Sequence, residues 1–134
     1  MAVTRTEKLP VQSSEDIVRV RQAVRAWAVE AGFNLVDQTK IVTAASELAR
    51  NTLVHGGGGS AELESLLAGA RRGLRLTFSD QGPGIADVQQ AMQDGYTSGS
   101  GLGLGLGGAK RLSNEFEIRS QPGAGTVVRI TRWK

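Results

Sequence analysis

Asp80-Gln81-Gly82-Pro83-Gly84-Ile85 follows directly on Leu74 to Ser79, where Leu74, Leu76 and Phe78 alternate with polar residues. That period of two marks a half-buried strand. The sequence therefore sets one carboxylate just past a strand end and places two glycines behind it. After a gap, Gly101-Leu102-Gly103-Leu104-Gly105-Leu106-Gly107-Gly108 runs into a helical pattern. Such a chain has to bring two separated glycine loops to the rim of a strand-and-helix structure. A carboxylate accepts a hydrogen bond from an exocyclic amine such as that of adenine. Glycines let backbone N–H groups approach phosphates, and a helix N-terminus attracts negative charge. Together the loops suit a nucleotide, with Gly101, Gly103 and Gly105 as the phosphate cradle. Glycine at every second position exceeds what flexibility alone requires. The dinucleotide spacing with its acidic residue about 20 positions on is absent, as is the Gly-Lys-Ser/Thr end of a P-loop.

Upstream, Asp37 to Val54 reads as a helix capped by Asp37, with Ile41, Ala45, Leu48 and Thr52 at helical spacing. Glu47 and Asn51 lie four apart and share one face. His55 continues the stripe as the chain enters Gly56 to Gly59. A carboxylate and a carboxamide one turn apart are hard oxygen ligands that suit Mg²⁺, which keeps several waters and takes few protein ligands beside phosphates. The carboxylate is equally able to accept a proton from an attacking hydroxyl. A solvated polar stripe is the plain alternative.

The remaining pattern gives a single domain over residues 1–134. Thr4 to Val11 is an expected edge strand. Ser13 and Asp16 open a helix that carries Ile17, Val20, Val24, Trp27, Ala28 and Ala31 on one face and stops at Gly32. Ala61 to Leu67 and Leu74 to Ser79 are strands joined by a turn over Ala68 to Gly73. Ala86 to Gln93 and Leu104 to Leu112 are short helices. Asp94 to Gly103 is a polar, aperiodic candidate lid. Glu115 to Ser120 and Thr126 to Trp133 form a closing hairpin. The expected class is an α/β two-layer sandwich, a mixed, mostly antiparallel sheet with helices on one face. With no cysteine, disulfides and zinc-thiolate sites are excluded. The net charge of +3 comes from dispersed arginines without interleaved aromatics, which argues against nucleic acid. No signal peptide or long apolar run is present, so a cytoplasmic protein without a membrane role is expected.

The three pieces in this order resemble the GHKL ATPase superfamily. Glu47-Leu48-Ala49-Arg50-Asn51 with His55-Gly56 resembles its N-box, and the two glycine runs resemble its glycine boxes. The chain is more similar still to the RsbT-type serine/threonine switch kinases of bacterial partner-switching systems. That likeness is carried by Ser46 to Asn51, Asp80 to Ile85, Lys110-Arg111-Leu112 with Glu115-Phe116, and Gly125-Thr126. It spans Ile17 to Trp133, with Asn114 standing where the family usually has an acidic residue. The resemblance implies the Bergerat ATP-binding fold, with ATP and Mg²⁺ as cofactors. It implies Glu47 as general base or orienting carboxylate, Asn51 as Mg²⁺ ligand, Asp80 as adenine reader and Thr126 as its support through water. Gly82 and Gly84 would let the backbone pass close to the base. The implied activity is phosphorylation of a STAS-domain antagonist in a stress-response module. The alternative is a regulatory binding module, an anti-sigma factor or an activator of a PP2C-type phosphatase. A sensor histidine kinase is disfavoured, because His55 is the only histidine and a separate phosphoacceptor domain has no room.

Overall fold

The computed structural model describes residues 1–85, 87–92 and 105–134. The expected lid at 94–103, with Gly101 and Gly103, lies outside the described residues. Among the described residues five strands form one sheet: β1 (Ala2–Val11), β2 (Gly59–Ala68), β3 (Arg71–Asp80), β4 (Glu115–Ser120) and β5 (Thr126–Trp133). Their order is β1-β2-β3-β5-β4, and every neighbouring pair is antiparallel. β1 is an edge strand, and β3, which ends at Asp80, lies at the centre.

Strand alternation separates the two faces of the sheet. Leu63, Leu74, Leu76, Phe78, Val128 and Ile130 point inward to a single core. There they meet Val20, Val24 and Trp27 of α1 (Ser14–Glu30) and Ile41, Ala45 and Leu48 of α2 (Leu35–Val54). The opposite face is polar. Its strongest feature is a bidentate pair, Arg75 Nε to Glu64 Oε1 at 2.8 Å and Arg75 Nη2 to Glu64 Oε2 at 3.0 Å. The Arg75 guanidinium, by that hydrogen bonding, holds the Glu64 carboxyl below its ordinary value against the opposing effect of burial. Two short helices complete the layer, α3 (Val88–Ala91) and α4 (Gly105–Arg111).

Several boundaries differ from the sequence reading. Asn34, not Asp37, caps α2: Asn34 Oδ1 accepts from Asp37 N–H at 2.8 Å. Asp37 falls in the first turn, where its carboxylate meets Arg132 Nη2 at 2.7 Å. The β2–β3 turn contracts to Gly69-Ala70, because Ala68 already pairs with Arg71. Gly73 is a strand residue lying under the Trp133 ring, and a Cβ there would stand 2.6 Å from that ring. Asp80 is the last residue of β3 rather than the first beyond it. The helix expected over Ala86 to Gln93 contracts to Val88–Ala91. Ser13 caps α1 as expected, accepting from Asp16 N–H at 3.2 Å. The returning bond goes one residue further back, from Gln12 N–H to Asp16 Oδ2 at 2.9 Å. That bond, with Arg19 beside it, holds the Asp16 carboxyl below its usual value.

Candidate functional site

At one end of the sheet, Gly59, Asp80, Thr126 and Ser120 stand side by side across β2, β3, β5 and β4, each directly paired with the next. Directly paired antiparallel residues share a face. Phe78 and Val128, two positions inward on their strands, are core residues. The side chains of Asp80 and Thr126 therefore rise on the helix-bearing side of the sheet. Asp80 Oδ1 accepts from Gly82 N–H at 2.9 Å, which turns the first glycine loop back over the strand end.

This loop is laced to the β4–β5 connection. Gly123 N–H donates to Pro83 O at 2.6 Å. Ile85 N–H donates to Ser120 Oγ at 2.8 Å. Gly84 has φ +77° and lies against the Gln121 carbonyl, while Gly125 has φ +82° and lies against the Asp80 carbonyl. Neither position has room for a Cβ. The loop that frames Asp80 is thus held on both sides by backbone contact.

The C-terminal end of α2 reaches the same place. His55 N–H and Gly56 N–H both donate to Asn51 O, at 3.0 and 3.1 Å. Gly56 packs directly on the Asp80 carboxylate, so that a Cβ at Gly56 would stand 2.5 Å from Asp80 Cβ. Gly82 in turn lies on Gly56, its would-be Cβ 2.7 Å from Gly56 Cα. Two bare glycines therefore let a helix end, a carboxylate and a turn close on one another. Asn51 and Glu47 follow one and two turns back along α2, both half-buried. The two side chains share one face of that helix, four residues apart. α4 packs on α2, with Leu106, Gly107, Gly108 and Ala109 buried. Its first residue is Gly105, at φ +58°. Lys110 is exposed at the far end of α4.

The structure thus gathers Asp80, Gly82, Gly84 and Thr126 around one sheet end and joins α2 to them through Gly56. Gly105 is the first residue of α4, which packs on α2, and Gly101 and Gly103 lie outside the described residues. Sequence reasoning missed Ser120 as a partner of Thr126. The signal was present in the hairpin: strands ending at Ser120 and starting at Thr126 must pair those two residues. Among the described residues no three His, Cys, Asp or Glu side chains cluster to hold a metal by themselves. A metal here would take one or two protein oxygens and complete its shell with phosphate and water, the habit of Mg²⁺. No helix among the described residues is long and apolar enough to cross a membrane.

Residues 11–132 match the family model of the histidine kinase-like ATPase domain. The chain is 43% identical to the serine/threonine-protein kinase RsbT of Bacillus subtilis (strain 168), over 92% of each chain. It is 31% identical to an anti-sigma F factor of Pasteuria penetrans, over 89% of this chain and 83% of that one. Among solved structures it is similar to the RsbU and RsbW domains of Rv1364c from Mycobacterium tuberculosis. The TM-score there is 0.65 at 24% identity, and the match covers 98% of this chain but 33% of that one.

Proposed function

The chain belongs to the histidine kinase-like ATPase domain family, and we propose that it is an ATP-dependent serine/threonine-protein kinase of a bacterial partner-switching module. Its substrate is a serine or threonine of a STAS-domain antagonist protein, met in the cytoplasm. A PP2C-type phosphatase or a sigma factor is the further partner between which it switches. The observation that carries the nucleotide reading is the Asp80–Gly56 contact. It sets a carboxylate suited to an adenine amine against the end of the helix that bears Asn51 and Glu47.

Each residue then has one task. The Asp80 carboxylate accepts from the exocyclic amine, and its bond to Gly82 N–H fixes its direction. Thr126 stands beside it. Gly82 and Gly84 admit the base to the backbone, and Gly101, Gly103 and Gly105 offer N–H groups to the phosphates. Asn51 would supply a carboxamide oxygen to Mg²⁺, which would neutralise phosphate charge. Glu47 accepts the proton of the acceptor hydroxyl while that oxygen bonds to the γ-phosphorus and the bond to the β,γ-bridging oxygen breaks, releasing ADP. Phosphoryl transfer depends mainly on positioning and charge neutralisation, so a small domain is enough.

The likeness to anti-sigma F factors supports a second reading, stoichiometric capture of a sigma factor or phosphatase with ATP shaping the surface. Calorimetry with Mg²⁺ and ATP tests the shared premise. Asp80→Asn should weaken binding about tenfold or more, because a charged acceptor is worth about 1.5–3 kcal/mol. Unchanged affinity in a folded variant removes Asp80 from the adenine role.

A further inference from the structure

Ser120 makes three hydrogen bonds with one hydroxyl. It accepts from Ile85 N–H at 2.8 Å, donates to Gly125 O at 3.2 Å, and lies 2.7 Å from Thr126 Oγ1. From this geometry we propose that Ser120 is a specificity-determining positioning residue. It fixes Thr126 as a hydrogen-bond acceptor, so that the site takes a 6-amino purine and rejects a 6-oxo purine. The proposal rests on the nucleotide reading above.

The argument is a count of protons. A serine hydroxyl has one proton and two lone pairs. One lone pair is taken by Ile85 N–H. If the Ser120 proton goes to Gly125 O, the second lone pair accepts the Thr126 proton, and all three neighbours are satisfied. If the Ser120 proton goes to Thr126 instead, the carbonyl of Gly125, a buried residue, loses this donor. Buried polar groups are paired wherever the fold permits. The first arrangement holds, and it commits the Thr126 proton inward. Thr126 Oγ1 then shows only lone pairs to the site.

Asp80 stands directly beside Thr126 on the same face, and an ionised carboxylate is an acceptor only. The two side chains that meet the base edge are therefore both acceptors. An amino group carries two N–H bonds and serves both in direct contact. A 6-oxo purine fits one side chain at the expense of the other. When its N1–H donates to Asp80, its 6-oxygen comes against the Thr126 lone pairs. Ser120 lies on a different strand from both, tied to the first glycine loop through Ile85, so the loop's closure and the polarity of Thr126 are set together.

The test measures dissociation constants for ATP and for inosine triphosphate, with Mg²⁺, by calorimetry on the full chain. Wild type should prefer ATP. Ser120→Ala frees the Thr126 proton to donate outward, so the ATP-to-inosine-triphosphate preference should fall about tenfold. Ser120→Thr keeps a hydroxyl and should retain the preference. Thr126→Val, which leaves the Ile85 and Gly125 bonds to Ser120 intact, should also erase it. A merely structural loss would weaken both nucleotides alike. An unchanged preference in Ser120→Ala, an equal weakening of both ligands, or an unchanged preference in Thr126→Val overturns the proposal. Asp80→Asn run alongside separates the failures: if it too leaves ATP affinity unchanged, the nucleotide reading itself is wrong.

Discussion

Replacing Gly56 by alanine adds a single methyl group where the end of α2 packs on the Asp80 side chain. Gly56 is not in the left-handed region, so alanine meets no backbone penalty there. The cost is steric. The new Cβ would stand 2.5 Å from Asp80 Cβ, whereas carbon atoms in ordinary contact lie about 3.5–4.0 Å apart. One partner must give by about 1 Å. Asp80 is bound through Oδ1 to Gly82 N–H at 2.9 Å, and a 1 Å displacement takes that bond beyond hydrogen-bonding range. The carboxylate then loses the direction it needs for an amine. A hydrogen bond to a charged group is worth about 1.5–3 kcal/mol, so ATP affinity should fall about 10- to 150-fold. Overpacking should cost about 1–3 kcal/mol of stability. Gly57→Ala is the control: Gly57 has φ +74° and nothing within 4 Å of its would-be Cβ. That variant should lose about 1–3 kcal/mol of stability through backbone strain while ATP affinity stays at the wild-type value. Calorimetric titration with a thermal melt reads both effects. A folded Gly56→Ala protein with wild-type affinity refutes the idea that Asp80 is positioned by this contact.

Asn51→Ala should leave the fold intact and make ATP binding markedly less dependent on Mg²⁺; identical Mg²⁺ titration curves for variant and wild type would exclude the ligand role. Glu64→Gln, on the opposite face of the sheet, should cost about 1.5–3 kcal/mol at neutral pH, because it breaks the bidentate pair with Arg75. Since Glu64 has a lowered value in the folded state, its contribution is full above the ordinary carboxylate range and fades as pH falls through the folded value. Urea unfolding of the two proteins should therefore converge in acid, and a difference that persists there would show that the pair's charge is not its source.

The helices and the final hairpin were legible because their apolar residues repeat at 3.6 or 2. The Glu47–Asn51 stripe and the Asp80 loop were legible because their residue types sit at spacings that elementary chemistry can interpret. What stayed hidden depends on contacts between distant segments. Asn34 and Asp37 are both able to cap α2, and Asp37 is drawn instead to Arg132, 95 residues away. Four consecutive glycines after His55 look alike in sequence, yet they serve different ends. Gly57 and Gly58 supply positive φ, whereas Gly56 and Gly59 make room for Asp80 and for the Ser79 carbonyl. Gly73 reads as a turn and is in fact the floor beneath Trp133. Asn114 accepts from Trp133 N–H at 2.6 Å, a contact that only the folded chain brings together.

The central claim is that Glu47 and Asn51 on α2 work on a nucleotide held by Asp80, and its most direct test is phosphate transfer. Purified wild-type protein, γ-labelled ATP and the cognate STAS-domain protein should give label on a serine or threonine of that partner. Glu47→Gln should lower the transfer rate about 10²- to 10⁴-fold, the usual worth of a general base, while ATP and partner affinities stay near wild type. Transfer by Glu47→Gln at the wild-type rate, or tight partner binding by wild type with no transfer, would contradict it.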